Sequence, residues 1–187
     1  MNEIIKKSLE SHRRCLESIE RCVPQIERVS SIFIDSLRKN GKIIFAGNGG
    51  SASDSQHLAA ELVGRFKENR NALGALALSV NTSILTAVGN DFGFEEIFSR
   101  QIEALASTND AFMAISTSGN SQNLINAVKK AKEMKVVTIG LLGKNGGKLK
   151  SLVDTALVVD CDDTPRIQEI HITIGHILCE IVEYQLK

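Results

Sequence analysis

Three side chains that can do chemistry follow one another at helical spacing: His57, Glu61 and Arg65. Residues four apart in an α-helix project from the same face, so these three should stand in line. An imidazole, a carboxylate and a guanidinium together could move protons and hold an anionic ligand. A solvated helix face with a Glu–Arg pair is the alternative, and the spacing alone leaves both interpretations open.

A glycine-rich turn, residues 47–51 (GNGGS), comes directly before this helix. The short apolar run at 42–46 (KIIFA) predicts a buried strand, and residues 52–62 are rich in helix formers, with Ser51 and Ser53 as good N-cap residues. The order is therefore strand, turn, helix. Backbone N–H groups that have no partner at such a helix start form a site for an anion or a polar ligand.

A second turn with the same pattern lies at residues 116–121 (STSGNS), between a predicted strand at 110–115 and a predicted helix at 122–134. In a doubly wound sheet of order 2-1-3-4-5, strands 1 and 3 flank the point where ligands bind, beyond the carboxyl ends of the strands. Both turns would then face one crevice. The hydroxyl and N–H groups of the serine turn suit a phosphate that is held by neutral donors.

The last predicted helix, capped by Thr164 with Pro165 at its first position, carries more candidate ligands. Gln168 and His176 are separated by about 80° around a helix, so they could face one site. Taken singly, His176 is more typical of an interior histidine than of a ligand. Together with His57 and Glu61 it would complete a set of imidazole and carboxylate groups that suits zinc or a similar divalent ion.

Two familiar nucleotide motifs are excluded. Gly47, Gly49 and Ala52 fit the spacing of the dinucleotide fingerprint, but the second predicted strand ends in residues 79–81 (SVN) and not in the acidic residue that this motif needs. Neither turn contains the Gly-Lys-Ser/Thr of a P-loop. The turns therefore favour a ligand other than NAD or a nucleoside triphosphate.

Apolar runs and helical patterns alternate along the rest of the chain. This alternation predicts an α/β fold with a doubly wound five-stranded parallel sheet of order 2-1-3-4-5, flanked by helices. The remaining predicted strands are 75–80, 136–142 and 155–160, and the remaining predicted helices are 82–88, ending at Gly89, 94–106, 148–152 and 164–185. No linker or repeat interrupts the pattern, so we expect one domain over 1–187, with 41–187 as the sheet core and C-terminal helix.

Residues 1–40 form a predicted helical arm. Mostly apolar positions from Ile5 to Leu37 alternate spacings of four and three, and Pro24 should kink the arm or begin a second helix. This is more helix than one small sheet needs for cover, so we expect the arm to pack against another subunit. The alternative is an arm that lies only on its own domain.

Bulk composition excludes several classes of function. The 187 residues carry 22 basic and 22 acidic side chains, without a basic block, so nucleic acid is not expected as a direct ligand. No apolar run reaches the roughly 20 residues that span a bilayer, and no signal-peptide core follows the N-terminus, which predicts a cytoplasmic protein without a membrane partner. The 4 cysteines lack C-x-x-C spacing, which predicts reduced, mostly buried thiols rather than disulfides or a zinc site.

Five stretches occur in one order along the chain: GNGGSASDSQHLAAEL, VGNDFGFEEIFSRQIEA, ISTSGNSQN, LLGKNGGK and RIQEIHITIGHIL. Together they resemble the sugar isomerase (SIS) domain family and, within it, the sedoheptulose 7-phosphate isomerases. The resemblance covers nearly the whole chain and is weakest in residues 1–40. It implies an aldose–ketose isomerase that converts sedoheptulose 7-phosphate to D-glycero-D-manno-heptose 7-phosphate through an enediol, the first step of bacterial surface heptose synthesis.

The resemblance also implies roles for individual residues. Contacts to the sugar are implied for Asn48, Gly49, Gly50, Ser51, Glu61, Arg65, Asn90, Asp91 and Gln168, and contacts to the phosphate for Ser116, Thr117, Ser118 and Ser121. One zinc ion per subunit is implied, with His57, Glu61, Gln168 and His176 as ligands. Glu61 and His176 match the acid–base pair, and a homotetramer with active sites at subunit contacts is expected. Pro165 departs from members that have an aspartate there.

Two alternatives share the same motifs. One is a binding protein of this fold that associates with the replication initiator, and it resembles this chain in both turns and in the last helix. The other is an isomerase or sensor of a different sugar phosphate. Residues 89–94 (GNDFGF) are more similar to the heptose phosphate isomerases, which favours the enzyme.

Overall fold

The structure is a computed structural model that describes residues 1–187. Its five strands form one parallel sheet in the order β2-β1-β3-β4-β5, which confirms the predicted doubly wound topology. The strands are β1 Ile43–Gly47, β2 Ala75–Ala77, β3 Ala111–Ser116, β4 Val137–Gly143 and β5 Thr155–Val159. The helices are α1 Asn2–Leu16, α2 Ser18–Arg38, α3 Gly50–Val63, α4 Thr82–Phe92, α5 Ser99–Leu105, α6 Gln122–Glu133, α7 Leu149–Leu152 and α8 Thr164–Leu186.

The sheet is covered on both faces, as a parallel sheet requires. Every residue of β1 and of β3 is buried, which explains why the two central strands are almost wholly apolar in sequence. Side chains of α2, α3 and α8, such as Phe33, Leu58 and Ile174, form the core on one face. Side chains of α5 and α6, such as Ile102 and Val128, form the core on the other.

The register of the central strands brings the two turns to one edge of the sheet. Gly47 at the end of β1 pairs with Ile115, one residue before the end of β3. Parallel strands that end side by side release their following turns at the same edge. The glycine turn and the serine turn are therefore neighbours, as predicted.

Several element boundaries differ from the sequence prediction. The strand β2 ends at Ala77, and α4 continues past Gly89 to Phe92, so Asn90 and Asp91 lie in its last turn. The helix predicted at 94–106 is divided into a 3-10 turn, Phe94–Glu96, and α5. Gly89 does not end α4, because a glycine inside a helix costs only about 1 kcal/mol, and other contacts can offset this cost.

The N-terminal arm divides into two helices with different surroundings. The second begins at Ser18 and contains Pro24 in its interior, so it does not begin at the proline, and a kink there stays a prediction. This helix, α2, belongs to the core of its own chain, whereas α1 leaves Ile4, Ile5 and Leu9 exposed. Packing of the arm on another subunit stays a prediction.

The prediction of four reduced thiols is wrong for two of them. Cys15 at the end of α1 and Cys161 after β5 form a disulfide, with their Cα atoms 5.9 Å apart. Cys22 and Cys179 are free and buried. The two bonded residues are 146 positions apart, and only the packing of α1 beside the start of α8 brings them together. No helix combines the length and the apolar character needed to cross a bilayer.

Candidate active site

The glycine turn lets α3 begin close to α8. Gly49 has a φ of 57°, a conformation that favours glycine. A Cβ atom on Gly50 would overlap Nε2 of Gln168, so a side chain at this position would displace that amide. The absence of a side chain at residue 50 therefore places Gln168 against the first turn of α3.

A pair of amides joins the two turns. Asn48 Nδ2 donates to Asn123 Oδ1 at 3.0 Å, and Asn123 Nδ2 donates to Asn48 Oδ1 at 2.9 Å. Asn123 Oδ1 also accepts from the backbone N–H of Leu124 at 2.9 Å, which sets the orientation of both amides. Sequence reasoning missed Asn123, although its position one residue into the helix after the serine turn was a usable signal.

The serine turn is shaped by its own hydroxyls. Ser116 Oγ accepts from the N–H of Gly119 at 3.0 Å and lies 3.3 Å from Ser121 Oγ, while Ser118 Oγ accepts from the N–H of Asn120 at 3.2 Å. Thr117, Ser118 and Ser121 are partly exposed. An open cavity of about 400 Å³ lies beside the turns, lined by Asn48, Phe94, Glu95, Ser121, Gln122 and Asn123.

Loop 143–147 supports the serine turn from behind. Gly119 has a φ of +63°, and a Cβ atom there would overlap the carbonyl oxygen of Gly146. The N–H of Leu149 donates to the carbonyl of Gly119 at 3.0 Å, and the N–H of Lys148 donates to Asn120 Oδ1 at 3.1 Å. The turn is thus held in one shape before any ligand binds.

His57, Glu61 and His176 come together although 119 positions separate the two histidines. Nε2 of His57 lies 3.1 Å from Nε2 of His176 and 3.1 Å from Oε1 of Glu61. One ligand atom from each of the three residues lies within 4.8 Å of the others. Two imidazoles and a carboxylate at this spacing fit a divalent ion such as zinc, and the presence of that ion stays a prediction.

The surroundings of the cluster are partly apolar. The ring of Phe66 lies 5.4 Å from that of His176, centroid to centroid. Burial raises the pKa of Asp54, one helical turn before His57, to about 6, while the nearby imidazole of His57 acts to lower it. Burial, together with the charge of Glu61, raises the pKa of the Cys179 thiol to about 12, so this thiol is not a nucleophile at neutral pH.

Three predicted site residues, Arg65, Asn90 and Asp91, make no ion pair or side-chain hydrogen bond with His57, Glu61 or His176. Arg65 is exposed, and Glu61 pairs with His57 instead of forming the Glu–Arg pair that the spacing allowed. Asn90 and Asp91 are exposed at the end of α4, where Asn90 Nδ2 donates to Asp91 Oδ1 at 2.8 Å. Their predicted contacts to substrate stay predictions, as does ligation of a metal by Gln168.

Comparison with known proteins agrees with the fold. The family described as SIS domain matches residues 9–143. The chain is thus an SIS-domain protein, the class that the resemblance in sequence predicted.

Individual relatives identify a narrower family within the SIS-domain proteins. The chain is 53% identical over 184 residues to phosphoheptose isomerase of a Nitratiruptor species, covering 98% of each chain. It is 51% identical to that of Helicobacter hepaticus, covering 98% of this chain and 93% of the relative. The solved phosphoheptose isomerase GmhA from Neisseria gonorrhoeae superposes with a TM-score of 0.93 at 39% identity, covering 98% of both chains. The chain therefore belongs to the phosphoheptose isomerase family of sugar-phosphate isomerases.

Proposed function

We propose that this enzyme interconverts sedoheptulose 7-phosphate and D-glycero-D-manno-heptose 7-phosphate, as the first step toward bacterial surface heptose. The observation that carries the proposal is the convergence of Glu61 and His57, on the helix that begins at the glycine turn, with His176 of α8. The names of the relatives at about 50% identity supply the substrate class. A cytoplasmic location is part of the same proposal.

The serine turn would bind the phosphate. Its partly exposed hydroxyls and the N–H groups at the start of α6 are neutral donors, and an anion at a helix N-terminus is favoured by the helix dipole. The glycine turn, with Asn48 and Ser51, would then face the sugar. A substrate phosphate held at one turn places the reacting carbons at a set distance from α3 and α8.

The transfer of hydrogen between neighbouring carbons needs a base near both carbons and a group that exchanges protons with their oxygens. Glu61 is the candidate base, since its carboxylate points toward the two imidazoles. His176 would exchange the proton on oxygen, a task suited to an imidazole near neutral pH. Phe66 would exclude water from one side of that imidazole.

A zinc ion would be held by His57, Glu61, His176 and the predicted fourth ligand Gln168. A bound zinc ion would polarise the substrate carbonyl. The carboxylate that binds a metal is a weaker base, so the two proposed tasks of Glu61 oppose each other. Removal of metal by chelation, followed by an activity measurement, decides whether the ion takes part in turnover.

We further propose a homotetramer with active sites at subunit contacts. The exposed apolar side chains of α1, Ile4, Ile5 and Leu9, are suited to helix packing between copies. The side chains of Asn90 and Asp91, which hydrogen-bond with each other in this chain, would then reach the site of a neighbouring copy. Light scattering on the purified protein, beside an Ile5→Glu/Leu9→Glu variant, tests this assembly.

The experiment incubates the purified protein with sedoheptulose 7-phosphate and follows the aldose product by NMR. Glu61→Gln and His176→Gln should each lower kcat by about 100-fold or more, since general acid–base groups contribute on that scale. Glu180→Gln, which removes an exposed carboxylate one turn beyond His176, is the matched control and should leave kcat within about twofold. An inactive wild-type protein would defeat the proposal and favour the initiator-binding alternative, and full activity of Glu61→Gln would remove that residue as the base.

A further inference from the structure

A buried carboxylate, Glu183, holds the segment that follows α3. It accepts hydrogen bonds from the backbone N–H groups of Phe66, Lys67 and Glu68 at 2.9, 2.7 and 2.9 Å, and the residue is 2% exposed. Burial acts to raise the pKa of Glu183, but these three hydrogen bonds and the charge of Arg70 outweigh it and keep the pKa below its ordinary value. Glu183 is therefore ionised at neutral pH, and it binds the loop in one conformation.

Arg70 completes a buried ion pair and caps α3. Its Nε lies 3.1 Å from Oε1 of Glu183, and both side chains are at most 3% exposed. Its Nη2 donates to the carbonyl of Glu61 at 2.8 Å, and its Nη1 donates to the carbonyl of Leu62 at 2.8 Å. The last carbonyls of a helix lack partners within the helix, so Arg70 satisfies them and places a positive charge at the negative end of α3.

The pair acts on both helices of the candidate site. Glu61 belongs to the last turns of α3, and its carbonyl is one of those that Arg70 binds. His176 and Glu183 are seven positions apart in α8, which puts them on the same face two turns apart. The same carboxylate that binds the N–H of Phe66 therefore holds the Phe66 ring against the imidazole of His176.

We propose that Arg70 and Glu183 are positioning residues that hold Glu61 and His176 in their reactive arrangement. The inference rests on the proposed acid–base roles of those two residues. Neither member of the pair need touch substrate: Arg70 acts through the backbone of α3, and Glu183 acts through the loop that carries Phe66. A displacement of about 1 Å in a reactive group lowers rate by up to about 100-fold, so loss of the pair should reach kcat.

The chain offers a matched control at the opposite end of the sheet. Asp110 is also buried, lies 2.6 Å from Lys42 Nζ and accepts from the N–H groups of Lys42 and Ser107 at 2.9 and 2.8 Å. It precedes β3 and Lys42 precedes β1, so this pair lies at the amino ends of the strands, away from the turns. Its loss should destabilise the fold without acting on Glu61 or His176.

The experiment compares Glu183→Gln with Asp110→Asn in kcat, KM and midpoint of thermal unfolding. Both substitutions should lower the midpoint, but only Glu183→Gln should lower kcat, by about tenfold or more with KM within about threefold. Arg70→Lys keeps the charge and loses part of the cap, and it should give a smaller fall in kcat. If Glu183→Gln does not fold, the kcat of Arg70→Lys tests the proposal by itself.

An unchanged kcat in both Glu183→Gln and Arg70→Lys would overturn the proposal, as would an equal fall in kcat for Asp110→Asn. A second readout does not depend on turnover. The imidazole ¹H–¹⁵N signals of the 4 histidines should show a shift for His176 in Glu183→Gln and not in Asp110→Asn. If the wild type does not act on sedoheptulose 7-phosphate but this shift occurs, the proposed function fails while the positioning of His176 stands.

Discussion

Replacement of Asn123 by alanine should weaken both the fold and the binding of substrate. Asn123 is 3% exposed and exchanges two hydrogen bonds with Asn48, across the gap between the glycine turn and the serine turn. Its Oδ1 also accepts from the N–H of Leu124. Alanine would leave the half-buried Asn48 amide and the buried N–H of Leu124 without their partners.

The magnitude follows from the groups left unpaired. Each buried polar group that loses its partner costs about 1–3 kcal/mol, and partial access of water to the vacated space reduces the sum. We expect Asn123→Ala to lower the free energy of unfolding by about 2–4 kcal/mol. For a chain of this size that corresponds to a fall of about 5–15 °C in Tm. The KM for the sugar phosphate should rise by about tenfold, because the two turns would no longer be held at one separation.

A double-mutant cycle with Asn48→Ala separates the amide pair from other effects. In each single variant the remaining amide has lost its partner, whereas in the double variant both amides are absent. The double variant should therefore be more stable, by about 1–2 kcal/mol, than the sum of the two single effects predicts. Denaturant unfolding followed by circular dichroism measures the four proteins. Asn126→Ala, one turn later in α6, removes an amide that is less buried and serves as the control. Additivity within about 0.3 kcal/mol would refute the coupling of the two turns.

Three further predictions concern other parts of the molecule. Burial lowers the pKa of His171 from 6.5 to about 4, so between these pH values the unfolded chain takes up a proton that the folded chain does not. The free energy of unfolding should therefore fall by about 3 kcal/mol as the pH drops through this window. An equal fall in His171→Leu would contradict this. Gly119→Ala places a methyl group against the carbonyl of Gly146, so KM should rise by about tenfold or more, and an unchanged KM would show that the shape of the turn is unimportant. Wild-type protein that is purified and denatured without reductant should show two reactive thiols in a colorimetric assay. The Cys161→Ser variant should show three, because Cys15 is then free. Four thiols in the wild type would exclude the disulfide.

Local patterns were sufficient for the elements that form the sheet. The runs at β1 and β3 are apolar because both faces of these strands are covered, and the glycine and serine turns that follow contain residues suited to their backbone conformations. The weaker predictions lie where local signals compete with packing. Gly89 was predicted to end a helix, but α4 continues beyond it. Pro24 was predicted to kink the arm or begin a second helix, and the second helix begins instead at Ser18.

In the candidate site, too, local features were predictable from sequence and features that depend on packing were not. Glycine at 49 and 50, the hydroxyls of 116–121 and the four-residue spacing of His57 and Glu61 are local features, and they were sufficient to predict that the two turns are neighbours and that His57 and Glu61 share one helix face. The resemblance to the isomerases added the assignment of Glu61 and His176 as an acid–base pair. Sequence spacing could not distinguish a Glu61–Arg65 pair from the observed Glu61–His57 pair, because both are four residues apart on one helix.

The sequence by itself determined the alternation of strands and helices, the two turns and the family, because these depend on neighbouring residues or on long ordered motifs. Only the tertiary structure decided which distant groups meet. Asn48 bonds to Asn123, Arg70 pairs with Glu183, and Cys15 bonds to Cys161, over separations that reach 146 positions. Such pairs depend on how each helix lies on the sheet to within a few ångströms, and no pattern of neighbouring residues contains that distance.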